Sequence, residues 1–380
     1  MTGADMAYLE LEINSPDEAR RLYAVQDAES DDALLLARTF LDRLVKESSA
    51  AVRAAIAFRL KTMDATSVYP EIFHLFRSPD AYLRNAAVEI FGAGGERASD
   101  FLGRRAGDAD REVRKFILDA LIEIGDDQAR ETIRQALQDP AINVQVTAVE
   151  YLGQLEDGDA APLMVELLRT NPEPMLTLAV LDALTHPRRR DVIAKALKTL
   201  APDSDYSRID DLYLPQILEL LAISGQGPEM IQVMIALPDQ ALYAENLVRA
   251  ASYYFETPGS EIVNYQLAAK LMALVVDESV DAEQQFLAGR MLAAHGPGRM
   301  EPEALFTLGE RLAEVVATAP VGLELIAASG HQGSRERLKA FALASTDRML
   351  VEICREILAG AEPSSTGEGP PARTELRSCF

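Results

Sequence analysis

The strongest potential metal ligands in the chain are four histidines, His74, His186, His295 and His331, and two cysteines, Cys354 and Cys379. A metal centre needs such donors clustered at helical or loop spacing. These residues are scattered, and two cysteines make neither a cysteine zinc site nor a disulfide framework. No metal and no cofactor is expected. Asp126-Asp127 and the nearby pair Asp203 and Asp205 bring carboxylates together. A calcium loop, however, requires a fixed ligand pattern ending in Glu, and both stretches read as turns whose carboxylates cap helices or face water. The Gly-rich phosphate loops and the G-x-S-x-G elbow of serine hydrolases do not occur. No catalytic residue is expected.

Two clusters have chemistry suited to binding. Arg188-Arg189-Arg190 is the most basic run, and guanidinium groups pair bidentately with carboxylate or phosphate. A solvated turn is the alternative. Tyr253-Tyr254-Phe255 ends a predicted helix, and three consecutive aromatics cannot all face one side of it. At least one of them is therefore expected to be exposed or to sit in a groove, as an interface anchor or packed on the next helix.

The elements that would position these groups follow from a repeat. An Arg after a small apolar residue recurs at Arg20, Arg53, Arg84 and Arg114, and the register continues at Gln145 and Thr177. The steps are 33, 31, 30, 31 and 32 residues. A steady period near 30 is the mark of a helical repeat array. In the third unit, Ser78-Pro79-Asp80 is a turn with a capping side chain. A helix is predicted from about Ala81 to Phe91, with Leu83, Ala86, Ala87 and Ile90 on one apolar face. Gly92, Gly94 and Gly95 stop it, and a second helix runs from about Ala98 to Arg105. In the fourth unit, Asp110 caps a helix whose stripe is Val113, Phe116, Ile117, Ala120, Leu121 and Ile124, ended by Gly125. Neither helix of a pair can bury its faces alone, so the units must stack.

The turn Asp, the Val-Arg or Leu-Arg step and the small-residue helix ending in Gly resemble the HEAT repeat, in the short form found in phycobilisome-lyase-type proteins. The resemblance rests on Asp80 with Leu83-Arg84, Asp110 with Val113-Arg114, and Val52-Arg53, and spans roughly residues 15–200. It implies an all-α, armadillo-like fold, a right-handed superhelical solenoid of antiparallel helix pairs. It also implies a structural ladder between units, carried here by Asp80, Arg53, Arg84, Asp110 and Arg114. The four-residue spacing of Asp80 with Arg84 and of Asp110 with Arg114 favours an internal, structural pairing over arginines that grip acidic peptides along a concave surface. No His here is followed by Glu, so the ligand pairs of di-iron HEAT hydroxylases are missing.

After Leu200 the pattern loosens. Helices are predicted at about 212–224, 228–237, 240–256, 260–277, 281–294, 301–319, 334–344 and 346–359, with short Gly- and Pro-rich connections. The organisation expected is an N-terminal arm (1–14), regular HEAT-like repeats (15–200), degenerate repeats continuing the solenoid (201–360) and a disordered tail (361–380). A separate helical domain from about residue 205 is the competing reading. The tail ends Leu376…Cys379-Phe380, either a docking peptide or a floppy end.

The 380 residues carry a formal net charge of −23, with pI near 4.6. Such a field repels phosphate backbones and anionic lipid, so neither nucleic acid nor membrane is an expected partner. The N-terminus lacks a signal-peptide pattern and no long apolar run occurs, so a cytoplasmic protein is expected. A non-enzymatic scaffold or adaptor holding a protein partner on its concave surface fits these features. The resemblance alone adds a bilin-lyase-like subunit acting on a client protein. A nucleic-acid-binding HEAT protein would need a basic face that the composition does not supply.

Overall fold

The structure is a computed structural model. It describes the chain except residues 1–2, 30–31, 172, 186–189, 238–240, 257–264, 298–299, 316–317 and 361–380. The expected disordered tail therefore lies outside the described residues. Among the described residues the fold is all-α, and the chain divides between Asp203 and Ser204 into two units.

The first unit contains α1 (Gly3–Ile13), α2 (Glu18–Asp27), α3 (Ala33–Lys46), α4 (Ala50–Thr62), α5 (Tyr69–His74), α6 (Ala81–Gly92), α7 (Gly95–Gly103), α8 (Arg111–Ile124), α9 (Asp127–Gln135), α10 (Ile142–Gln154), α11 (Ala161–Thr170), α12 (Pro174–Ala183) and α13 (Arg190–Leu200). The even-numbered helices α2 to α12 pack side by side as one layer. On the other side, α7 packs against α9 and α11 against α13. Within the stretch read as an arm, Leu9 and Ile13 of α1 are buried, and α1 packs on α2 as the first member of a pair.

Local chemistry sets each element. The Asp110 side chain accepts the Glu112 N–H and starts α8, and Gly125 at φ 65° ends it. That left-handed conformation is the reason for a glycine there. Val113, Ile117, Leu118, Ala120 and Leu121 are buried along α8, while Phe116 and Ile124 stay half-buried. Tyr69, Phe73, Phe76, Phe91 and Phe101 form an aromatic core between pairs, with the Arg105 guanidinium 3.6 Å from the Phe101 ring centre.

The second unit contains α14 (Leu214–Ser224), α15 (Gly227–Ala236), α16 (Ala244–Glu256), α17 (Tyr265–Val276), α18 (Ala282–His295), α19 (Pro302–Ala313), α20 (Ala319–Ala328), α21 (Ser334–Ala344) and α22 (Arg348–Gly360). Here too the even-numbered helices form one packed layer, α14 through α22. The long helix expected over 301–319 ends at Ala313, and α20 is an additional helix that periodicity did not predict. Pro320 stands in its first turn, where a proline is tolerated and its fixed φ suits the helix. Gly309 and Gly322 let α19 and α20 touch backbone to backbone: a Cβ on Gly309 would lie 2.8 Å from the Gly322 carbonyl oxygen.

Candidate functional site

The repeating feature of the first unit is the edge where the even-numbered helices begin. Four residues after the cap in α2, α4, α6, α8 and α10, one long polar side chain turns back over the turn; in α12 the position is the short, buried Thr177. Arg21 donates to the Ser15 carbonyl (2.9 Å), Arg84 to Ser78 (2.7 Å), Arg114 to Asp108 (2.7 Å) and Gln145 to Asp139 (2.9 Å), and Arg53 donates to Glu47. In every case the acceptor lies six residues back. The turn carbonyl thus gains a charge-assisted or amide donor that helix geometry alone does not provide.

The same side chains reach forward to the next turn. Arg53 pairs with Asp80 (2.8 Å), and Arg114 grips Asp139 with two nitrogens, at 2.7 and 2.8 Å. Gln145 continues the line without charge, accepting from Asn171 at 3.0 Å. The register begins at Arg21 and not at Arg20, which pairs with Glu12. Asp80 turns to Arg53 of the preceding pair and not to Arg84. Arg84 makes no ion pair among the described residues; its guanidinium lies 5.8 Å from the Phe116 ring centre. Asp110 acts as a cap, and the neighbouring Asp108 takes the cation, Arg77.

The deepest pair is one that sequence reasoning missed. Glu47 is 1% exposed and meets Arg21 (2.9 and 3.0 Å), Arg43 (2.9 and 2.7 Å) and the Ser48 and Ser49 N–H groups. Burial alone would raise its carboxyl pKa. The Arg21, Ser49 and Arg43 hydrogen bonds outweigh burial and hold it down at about 2. Asp80 and Asp108 are also lowered: burial opposes this, but the Tyr82 N–H with Arg53, and the Asp110 N–H with Arg77, prevail.

Along the solvent side of this layer lies an open depression of about 610 Å³ crossing α8, α10 and α12. Ile142, Val146 and Met175 supply its apolar floor, and Arg111, Lys115 and Glu150 stand among its polar lining. Met175 is 62% exposed. One turn further along α8, Asp119 accepts the Tyr151 hydroxyl at 2.6 Å and ties α8 to α10. Burial pushes the Asp119 carboxyl pKa up, and burial followed by the Asp119 contact pushes the Tyr151 phenol up.

The other candidates fall elsewhere. Arg190 is exposed at the first position of α13, while Arg188 and Arg189 lie outside the described residues. Tyr253, Tyr254 and Phe255 are each half-buried. Phe255 stacks on His295 at 4.1 Å, and Tyr254 meets Phe255 edge-on at 5.6 Å. Asp126 caps α9 and accepts from Ser99, and Asp205 caps a 3-10 turn. Among the described residues, no three His, Cys, Asp or Glu side chains are grouped as metal ligands, and no helix is long and apolar enough to cross a membrane.

Layered helix pairs repeating at about 30 residues define an α-helical repeat protein. Residues 99–185 match the family model for HEAT repeats, so the chain carries HEAT repeats in that stretch. No curated protein matches it. Among solved structures, it is similar to a crystal structure of an engineered protein, at 18% identity over 93% of this chain and 98% of that one, TM-score 0.33. It is also similar to a structure from work on tubulin recruitment and assembly by microtubule polymerases with Tumor Overexpressed Gene (TOG) domain arrays. That likeness has 11% identity over 95% and 92% of the two chains, TM-score 0.24.

Proposed function

We propose that the chain is a non-enzymatic scaffold, working in the cytoplasm, that holds a partner protein on the solvent face of α8, α10 and α12. The depression floored by Ile142, Val146 and Met175 is the observation that supports the reading. An apolar centre with a polar rim, and with Met and Arg present, is the usual composition of a protein interface. An exposed Met suits such a surface because its thioether chain adapts to its partner. The ladder beside the depression holds successive helices in register, so the surface is preorganised and loses little freedom on binding.

A photo-crosslinking side chain at Val146, with a control at exposed Leu163 on α11, tests the reading in the native host. Position 146 should trap a discrete protein, position 163 should not, and Met175→Asp should abolish the adduct with an unchanged melting temperature. Equal trapping from both positions, or trapping indifferent to Met175→Asp, would contradict it.

A further inference from the structure

The second unit repeats a feature of its own. Two neighbouring helices of one layer, α14 and α16, are entered through matching 3-10 turns, Asp211–Tyr213 and Ala241–Tyr243. Each turn carries Leu-Tyr, and the two copies are 30 residues apart. In both, the Tyr is half-buried and the Leu points outward, with Leu212 49% and Leu242 74% exposed. Because α14 and α16 are separated by one returning helix, they run the same way and their entry turns share an edge. Packed helices lie about 8–10 Å apart, so the two turns stand on adjacent helix ends.

The edge is acidic. Asp210, Asp211 and Glu245 stand at the two entry turns, and the basic side chains of residues 204–256 are Arg208 and Arg249 alone. Both basic residues are already engaged: Arg208 with Asp205 (3.3 Å), and Arg249 with Glu219 (3.2 Å) and Glu245 (3.8 Å). Asp210 and Asp211, next to Leu212, are exposed and have no cation partner among the described residues; Glu245, near Leu242, is exposed too. The first unit neutralises Glu47, Asp80 and Asp139 on its corresponding edge with its own arginines.

We propose that this ledge binds a basic amphipathic helix of a partner protein, with two apolar residues at i and i+7. Seven residues of helix rise about 10.5 Å, comparable to the about 8–10 Å between packed helices. Lysines or arginines flanking that apolar stripe would meet Asp210, Asp211 and Glu245. This is the helix-on-surface mode of recognition, with apolar anchors supplying affinity and charge supplying orientation. The site lies in the other unit from the α8–α12 depression and does not depend on that reading.

Fluorescence anisotropy of the full chain with a labelled Leu/Lys amphipathic peptide, leucines at i and i+7, is the test. Saturable binding is expected. Leu212→Ser with Leu242→Ser should weaken it about ten-fold. Asp210→Asn, Asp211→Asn and Glu245→Gln together should weaken it and flatten its salt dependence. Val146→Asp with Met175→Asp should leave it unchanged. No saturable binding, wild-type affinity in the leucine variant, or equal binding of a peptide with Ser in place of Leu would overturn the proposal. The last result would mean plain attraction of a polycation to an acidic surface.

Discussion

The two units build the same layers of antiparallel pairs but use the fourth position after the helix cap differently. In the first unit the fourth position after the cap is Arg21, Arg53, Arg84, Arg114, Gln145 or, in α12, Thr177, and most of these join one turn to the next. In the matching layer of the second unit the same position is Ile217 in α14, Gln285 in α18 and Gly322 in α20. Gln285 keeps only the backward contact, donating to the Asp277 carbonyl at 2.6 Å. Ile217 is buried, and Gly322 permits a backbone contact with Gly309. One position thus serves as an electrostatic tie in one region and as a packing contact in the other. The fold needs the register; it does not prescribe the chemistry that sets it.

The largest test of this contrast is Glu47→Ala. It leaves the buried Arg21 without its counter-charge and should destabilise the first unit by about 3–5 kcal/mol in urea unfolding. Arg114→Ala should follow, at about 3 kcal/mol, because Asp139 is nearly buried and loses both its nitrogens. In the second unit, Gly322→Ala should cost about 1–3 kcal/mol by forcing α19 and α20 apart. Arg84→Ala should be the mildest, at about 1 kcal/mol, since it removes one hydrogen bond and a ring contact but no ion pair. If Arg84→Ala proved as costly as Arg114→Ala, the backward contact would be the important half of the tie and the contrast between units would narrow.

The ladder was partly legible because it has a fixed period and a distinctive side chain. Its pairing was not. Asp139 lies 25 residues beyond Arg114 and Glu47 lies 26 beyond Arg21, so no local spacing links them; only stacking does. Adjacent arginines hid which of Arg20 and Arg21 faces the next turn, a choice made by helix phase. Helix α20 escaped notice because its apolar residues lack a polar face: Ala319, Val321, Leu323, Leu325 and Ile326 are all buried. The depression was illegible for a simpler reason. Its lining comes from residues 111–175, and three pairs must stack before it exists.

Acid separates the two regions most directly. Among the described residues, the first unit holds Glu12, Glu47, Asp64, Asp80, Asp108 and Glu166 below the ordinary carboxyl range, and the second holds Asp205 and Asp277. A carboxyl whose folded pKa is lowered stabilises the fold above its unfolded pKa, and that contribution fades as pH falls toward the folded value. For Glu47 the window runs from about 4.5 down to about 2. The decisive measurement is hydrogen exchange in graded urea, corrected for intrinsic rates, on the full chain at about pH 7 and about pH 3. Helices α2 to α12 should lose clearly more protection free energy than α14 to α22, and Glu47→Gln should shrink the difference. Equal losses in both units, or a greater loss in the second, would contradict the account.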